Sequence, residues 1–237
     1  MPKTKIKILC TSPLSEPLVN MAVEKNIFVD VLNYIKTKHC LTKNIKQQIK
    51  DLSHKKIVAV FTSKNAVNAV VQQLSSVPDW DVFCISGVTK QTVINFFTDK
   101  INIVSAKNAA GLAEEIIAAK TIKNVVFFCG NQRLNDLPEM LAQQGIGVKE
   151  LIVYTTEETP HTIQKNYDAI LFFSPSAVHS FFSVNTIPVN VLLFSIGKTT
   201  TSAIQTYCSN LVHTCEFPGK EQMINLVIDF FSTFISN

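Results

Sequence analysis

The chain has 237 residues, of which 46% are hydrophobic and 17% charged, and its formal net charge at pH 7 is +4. This composition excludes a disordered chain, and the length suffices for one large domain or two of modest size. Arg133 is the only arginine, which argues against nucleic-acid recognition, because guanidinium groups make many phosphate and base contacts. The mildly basic surface suits a small polyanionic substrate instead.

Short apolar runs alternate with helical patterns along the whole chain. Most of these runs lack the period-2 alternation of half-buried strands, as is typical of a parallel sheet covered on both faces. The predicted strands are Lys5–Cys10, Ile57–Phe61, Val82–Ile85, Ile101–Val104, Val125–Cys129, Ala169–Phe173, Val191–Ile196 and Leu211–Thr214. Because helical patterns fill the gaps, we expect a doubly wound α/β fold.

Part of the sequence occurs twice. VFTSKNAVNAVV (60–71) reappears as FFSPSAVHSFF (172–182), and ISGVTKQTV (85–93) reappears as SIGKTTTSAI (195–204). Each copy reads as an apolar strand, a polar turn and a helix. The duplication predicts two similar lobes, each a doubly wound parallel sheet.

The repeat is circularly offset. Ile103–Ile117 resembles Val212–Ile228, and Asn124–Met140 resembles the N-terminal segment Lys5–Met21. One lobe is therefore expected to be continuous, whereas the N-terminal segment completes the other, so the chain must cross between them twice. The expected division is lobe 1 at 1–32 and 160–237, lobe 2 at 45–149, and connectors at 33–44 and 150–159.

The two crossings need connecting segments. Phe28–Thr37 and Glu150–Glu158 are rich in residues that favour strands, and we expect them to pair as an antiparallel ladder. The alternative is that each segment is simply the last strand of a lobe.

The termini and cysteines give expectations about the compartment. The first apolar run is too short for a signal peptide, and the apolar segment near the C-terminus is short and contains Asp229, so a packed helix is expected rather than a membrane span. The six cysteines form no CxxC pair and predict reduced, mostly buried thiols in a cytoplasmic protein.

Polar turns follow most predicted strands. Ligands of open parallel sheets bind outside the carboxyl ends of the strands, and free N–H groups make helix starts good anion sites. The candidate binding residues are Thr11, Ser12, Thr62, Ser63, Ser86, Gly87, Thr89, Gly130, Asn131, Ser174, Ser176, Thr199 and Thr200. Ordinary N-capping explains any one of these residues, but the set as a whole favours a divided anion site with both lobes contributing.

Other chemistry lacks a sequence pattern. The histidines are scattered, and neither a GxSxG motif nor a dinucleotide glycine fingerprint is present, so we expect no metal and no tightly bound cofactor. The sequence IGKTT at 196–200 looks like the end of a phosphate-binding loop, but the position five residues before its glycine is Leu192.

Tyr154 is the strongest candidate for a chemical role. It lies in the second connector, where a side chain can face the space between the lobes, and a phenol can donate a proton or hydrogen bond to a leaving oxygen. The alternative is an ordinary strand tyrosine that packs on one lobe.

Taken together, FTSKNAV, CGNQRLNDLPEMLAQQGIGVKELIVYTT, FFSPSAV and SIGKTTTSA resemble the uroporphyrinogen-III synthase family over nearly the whole chain. The resemblance implies two α/β lobes joined by a two-stranded ladder, with the active site in the cleft. It also implies an enzyme without cofactor, which closes the linear tetrapyrrole hydroxymethylbilane with inversion of the last ring and loss of water, through a spiro intermediate.

The resemblance further implies roles for individual residues. The tyrosine that assists the leaving group falls on Tyr154. The contacts to substrate carboxylates fall on Ser63, Ser174, Ser176, Thr199 and Thr200. Three positions depart from the family pattern and weaken single contact assignments, namely Thr11 in place of an arginine, the position of Thr89 after Gly87, and the position of Arg133 after Gly130.

Two rival interpretations stay open at this stage. One is a two-lobed ligand-binding protein without chemistry, and the other is a regulatory tetrapyrrole-binding protein that kept the fold and lost the activity. The expected partner is in each case a small polycarboxylate, with no nucleic acid and no membrane, and the chain is expected to be a monomer.

Overall fold

The computed structural model describes residues 5–97 and 102–235 and shows a mixed α/β fold with parallel sheets. The strands are β1 (Ile6–Cys10), β2 (Ile27–Val31), β3 (Ile35–His39), β4 (Ile57–Phe61), β5 (Trp80–Ile85), β6 (Ile103–Ala106), β7 (Asn124–Gly130), β8 (Gly147–Glu158), β9 (Ala169–Phe172), β10 (Leu192–Ser195) and β11 (Val212–Thr214). The helices are α1 (Glu16–Val23), α2 (Lys43–Ser53), α3 (Lys64–Val71), α4 (Val88–Phe97), α5 (Ala109–Ala118), α6 (Asp136–Gln143), α7 (Pro175–Phe182), α8 (Lys198–Gln205) and α9 (Lys220–Ile235).

The eight predicted strands are confirmed, with ends that differ by at most two residues. Residue 101, the first of one predicted strand, lies outside the described residues. The C-terminal apolar segment is confirmed as a helix, α9. Within the described ranges, no helix combines the length and the apolar character that crossing a membrane requires.

The chain divides into two compact units. Unit 1 comprises Met1–Lys36 and Glu157–Asn237. Its five-stranded sheet has the order β11-β10-β9-β1-β2, and the paired strands run parallel. Ile8 and Leu9, neighbours on β1, are fully buried in two different hydrophobic clusters, so both faces of this sheet are covered. Continuous apolar runs are what such a doubly covered sheet requires.

Unit 2 comprises Thr37–Thr156, and its six-stranded sheet has the order β3-β8-β7-β4-β5-β6. Phe127 and Phe128 again point into different buried clusters. Phe128 stacks on Phe61 with ring centroids 5.2 Å apart and on Trp80 at 5.6 Å. The indole N–H of Trp80 donates to the Leu52 carbonyl over 3.1 Å, which satisfies the one polar atom of this buried ring.

The predicted strand Phe28–Thr37 is wrong as a single element. Its first part belongs to β2 and runs parallel to β1 in unit 1, so it takes no part in an antiparallel ladder. Its last part belongs to β3, which neighbours β8. The strand conformation is interrupted between them at Leu32–Tyr34. There the Tyr34 side chain is fully buried and its hydroxyl donates to the His161 carbonyl over 2.9 Å. A buried aromatic anchor of this kind is a tertiary contact that strand propensity does not reveal.

Candidate active site

The carboxyl ends of the parallel strands present most of the predicted polar residues. Thr62 and Ser63 follow β4, and Ser174 and Ser176 lie at the start of α7, after β9. Ser63 has an extended backbone and accepts the Asn65 N–H over 3.1 Å. These residues are half-buried, so the turns are in part open to solvent. Helix starts of this composition present free N–H groups and the positive end of the helix dipole, which suit a carboxylate.

In unit 2, the ring of Tyr154 lies directly on Gly130. A Cβ atom at position 130 would lie 2.4 Å from Cζ and 2.8 Å from Oη of this tyrosine. Real Cβ atoms essentially never come this close to another heavy atom. The phenol ring can therefore occupy this position only because Gly130 has no side chain.

A β-bulge aims Tyr154 at this position. Cys129 on β7 is paired with Ile152 on β8. The next residue, Gly130, is paired with Tyr154, which leaves Val153 as an extra residue. Because a bulge brings two successive side chains to one face, Val153 and Tyr154 both pack on the same hydrophobic cluster. Bulges that re-aim a side chain are frequent beside active sites.

Tyr154 is half-buried and stays neutral at physiological pH. Burial raises the pKa of its phenol above the ordinary value, and the nearby Cys129 acts in the same direction. A side-chain hydrogen bond with Ser63 lowers that pKa and offsets part of the shift. The result is a protonated phenol held at the hydroxyl that caps α3, so it can donate a proton or a hydrogen bond.

Asn131 and Arg133 are engaged in holding the adjacent turn. The Asn131 amide oxygen accepts the backbone N–H of Thr156 over 2.8 Å. Arg133 forms two contacts to the Glu150 carboxylate on β8, of 2.8 and 2.7 Å. These side chains tie the turn after β7 to β8, and the hydrogen bond with Glu150 raises the pKa of the Arg133 guanidinium.

The turn after β5 is open. Ser86 and Gly87 are exposed, and Gly87 has a φ of 79°, a backbone conformation that favours glycine. The Gly87 carbonyl accepts the Gln91 N–H over 3.0 Å and so begins the hydrogen bonding of α4. In unit 1, Ser12 is half-buried and Thr199 exposed at comparable turns after β1 and β10.

Three of the predicted binding hydroxyls are buried instead. Thr11 is fully buried and donates to the Leu171 carbonyl over 2.9 Å, so it joins β1 to β9. Thr200 and Thr89 point into helix-packing surfaces and are 1% and 8% exposed. Thr89 and Thr200 lie on the buried faces of α4 and α8, because the helical turn places the residue two or three positions into a helix on that face. Contact of these three side chains with a ligand stays a prediction that their burial does not favour.

The sequence interpretation overlooked the cations of the turns in unit 2. One basic residue stands at or near each helix start that follows β4, β5, β6 and β7, namely Lys64, Lys90, Lys107 and Arg133. The recurrence of a basic residue after each of these four strands is visible in the sequence and could have identified them as candidate binding residues. Such a row of cations would attract a substrate with several carboxylates.

A surface pocket of about 750 Å³ in unit 2 lies away from the polar turns. It opens at the amino ends of β4, β7 and β8 and is lined by Lys56, Lys123 and Lys149 among others. No group of three or more His, Cys, Asp or Glu side chains in the described part of the chain is placed to hold a metal ion.

Known proteins share this sequence pattern and fold. A family model described as uroporphyrinogen-III synthase HemD matches residues 24–225. A search of curated proteins finds no significant match. Among solved structures, a mutant uroporphyrinogen III synthase from the extremely thermophilic bacterium Thermus thermophilus is similar with a TM-score of 0.72 at 11% identity, over 98% of this chain and 100% of that chain.

Two further solved structures share this fold. The uroporphyrinogen-III synthetase from Helicobacter pylori gives a TM-score of 0.68 at 18% identity, over 95% of this chain and 99% of that chain. The wild-type Thermus thermophilus enzyme gives 0.55 at 11% identity, over 97% of this chain and 99% of that chain. These low identities establish the fold alone. The family model covers most of the sequence, and on that ground the chain belongs to the uroporphyrinogen-III synthase family, whose members are cyclising lyases of tetrapyrrole biosynthesis.

Proposed function

We propose that this chain closes hydroxymethylbilane to uroporphyrinogen III, with Tyr154 as the group that assists the departing hydroxyl. The observation that supports this role is the neutral, half-buried phenol of Tyr154, seated on Gly130 and hydrogen-bonded to Ser63. Tyr154 combines the proton of a neutral phenol with a position next to Gly130 and Ser63.

The chemistry needs little from the protein beyond orientation and a hydrogen bond. The phenol donates a proton toward the hydroxyl oxygen, the carbon–oxygen bond breaks, and the hydroxyl leaves as water. The electron-rich pyrrole stabilises the cation left behind, and a carbon of the last ring attacks it to give the spiro intermediate. The bond from that carbon to its original methylene bridge then breaks and leaves a second pyrrole-stabilised cation on the bridge. The other α-carbon of the last ring attacks this cation, which inverts the ring. Loss of the proton on that carbon restores the aromaticity and reprotonates the phenolate. Holding a flexible chain in the reactive arrangement is orientation catalysis.

The polar turns bind the acetate and propionate side chains of the substrate. In unit 2 the contributors are Thr62, Ser63, Ser86 and Gly87, supported by the row of cations at the same helix starts. In unit 1 they are Ser12, Ser174, Ser176 and Thr199. A carboxylate at each such start gains charge-assisted hydrogen bonds from backbone N–H groups and hydroxyls.

The two units are two copies of one circularly offset lobe. The sheet of unit 1 has the order β11-β10-β9-β1-β2, and five strands of unit 2 have the order β6-β5-β4-β7-β8. The first four strands of each series, β11-β10-β9-β1 and β6-β5-β4-β7, stand in the same order as the matched segments of the sequence repeat. This agreement supports a pseudo-repeat with connectors near 33–44 and 150–159.

The chain acts as a monomer in a reducing compartment such as the cytoplasm. All six cysteines are free thiols, which suits such a compartment. Light scattering of the purified chain tests the monomer, with a mass near 26.4 kDa as the expected result.

Separating the reaction products tests the function. Hydroxymethylbilane is incubated with the purified chain, and the uroporphyrinogen isomers are resolved after oxidation. Type III isomer above the background of an enzyme-free control is the expected result. Binding of the substrate with type I isomer as the sole product would instead identify a non-catalytic tetrapyrrole-binding protein.

A further inference from the structure

Gly130 and Asn131 stand out because both contact the segment of β8 that carries Tyr154. Gly130 is buried beneath the phenol ring, and the Asn131 side chain is bonded to the backbone of β8. The sequence predicts substrate binding for both residues. Their contacts point to a different task.

We infer that Gly130 and Asn131 are positioning residues, which hold the Tyr154 phenol at the Ser63 hydroxyl and do not themselves bind substrate. The inference rests on the proposed role of Tyr154 in the reaction. It adds the two residues on which the placement of that group depends.

Gly130 positions the phenol because it has no side chain, and the Tyr154 ring occupies the place where a Cβ would lie. Three atoms of Tyr154, Cζ, Cε2 and Oη, would lie 2.4, 2.6 and 2.8 Å from a Cβ at position 130. All three belong to the far end of a side chain that can rotate. A methyl group at position 130 would therefore push the phenol aside, away from Ser63, and leave the paired backbone of β7 and β8 in place.

Asn131 positions Tyr154 through hydrogen bonds to the backbone of β8 beyond the bulge. Its backbone N–H donates to the Tyr154 carbonyl over 3.2 Å, and its amide oxygen accepts the Thr156 N–H over 2.8 Å. The amide nitrogen reaches the Thr156 carbonyl at 3.4 Å. The side chain thus imitates a strand residue and extends the pairing past a bulge, where a ladder is otherwise disrupted. It fixes the backbone on both sides of residue 155 and with it the direction of the Tyr154 side chain.

The test uses Gly130→Ala and Asn131→Ala, each alone and combined with Tyr154→Phe. Gly111→Ala is the matched control, because its added methyl meets neighbours at ordinary distances of 3.4 and 3.5 Å. The first measurement is the NMR signal of tyrosine labelled with ¹³C at Cζ, assigned to Tyr154 by its loss in Tyr154→Phe. The second measurement is kcat and KM for hydroxymethylbilane.

The expected NMR result is a shifted Tyr154 signal in Gly130→Ala and Asn131→Ala and an unchanged signal in Gly111→Ala. Asn131→Asp keeps the acceptor for Thr156 and is expected to restore the signal. An unshifted signal in both alanine variants overturns the inference. Asn131→Ala adds no atoms, so it serves if Gly130→Ala fails to fold.

The expected kinetic result is a fall in kcat of about tenfold to 100-fold for Gly130→Ala, since a displacement of about 1 Å can cost that much. KM is expected to stay within about twofold, because no substrate contact is lost. In the Tyr154→Phe background the same change is expected to lower kcat by less than about twofold, because interacting residues are non-additive. Multiplicative losses would mean that Gly130 acts independently of the phenol, against the inference.

The two measurements separate this inference from the proposed function. A shifted signal with unchanged kcat in Gly130→Ala, Asn131→Ala and Tyr154→Phe supports positioning and removes Tyr154 from the chemistry. An unshifted signal with a large loss of kcat in Tyr154→Phe keeps the proposed function and overturns positioning.

Discussion

Ser63 and Ser174 cap α3 and α7 in the same way, one in each unit. Both have an extended backbone, with φ of −146° and −166°, and both hydroxyls accept a backbone N–H from the first turn, of Asn65 and Ala177. Each helix starts directly after a strand with parallel neighbours on both sides. Both caps are half-buried, so each of these turns is in part open to solvent.

Ser174→Ala tests whether this cap also binds substrate. The loss of an N-cap hydroxyl costs about 1 kcal/mol of stability, and the lost contact to a carboxylate is expected to raise KM about tenfold, equivalent to about 1.4 kcal/mol. Thr42→Ala is the matched control, because Thr42 caps α2 by accepting the Ile45 N–H over 3.3 Å. Urea unfolding should show similar losses for both variants. A KM for Ser174→Ala equal to that of the wild type would mean that Ser174 only caps the helix and does not bind substrate.

Thr11→Val tests whether a buried hydroxyl of unit 1 has a structural role. Because Thr11 donates to the Leu171 carbonyl over 2.9 Å, its loss is expected to destabilise unit 1 by about 1 kcal/mol. KM should be unchanged, since the side chain is fully buried. Ser12→Ala is the comparison and should behave in the opposite way, with little effect on stability and a raised KM. A higher KM in Thr11→Val would restore Thr11 to the binding site.

The thiols are expected to react in two groups. Burial raises the pKa of Cys10 to about 12 and those of Cys84 and Cys129 to about 11, so these thiols stay protonated and shielded. Cys40 and Cys208 are half-buried and should be labelled first by iodoacetamide in the native protein. Peptide mass spectrometry with time reads the order. Early labelling of Cys10 would show that the β1 core opens readily.

The alkaline limb of activity should report the Tyr154 phenol. Burial raises its pKa above the ordinary value of about 10, so kcat should be flat near neutral pH and fall only above that value. The stability that this shift contributes is present below about pH 10 and is lost as pH rises through the folded-state pKa. The hydrogen bond with Ser63 lowers the pKa, so Ser63→Ala should move the ¹³C-tyrosine titration of Tyr154 to higher pH. A shift to lower pH would contradict the geometry.

The strands were readable from the sequence, because continuous apolar runs are a local signal. The division of Phe28–Thr37 into β2 and β3 was not, since it depends on the buried anchor Tyr34. Strand propensity carries no information about such a tertiary contact.

The candidate site was predictable in part. The caps at Ser63 and Ser174 were predictable from residue type and spacing. The chemical role of Tyr154 stays a prediction. The burial of Thr11 and Thr200 depends on which face of an element each occupies. The seat of Tyr154 on Gly130 depends on a bulge at Val153, which no local pattern announces.

Tyr154→Phe is the most direct test of the central claim, that this phenol assists the leaving hydroxyl. Phenylalanine keeps the ring on Gly130 and removes only the proton donor, so the fold is expected to survive with a loss of about 1 kcal/mol for the hydrogen bond. The control is Tyr207→Phe, which removes the hydroxyl bonded to His179 at 2.8 Å, outside the proposed site.

The deciding measurement is the kcat for type III isomer from hydroxymethylbilane in these two variants. Removal of a group that donates a proton in the transition state typically costs at least about 100-fold, and we expect that loss in Tyr154→Phe with wild-type turnover in Tyr207→Phe. Wild-type turnover in a correctly folded Tyr154→Phe variant would contradict the claim and leave Tyr154 without a chemical role.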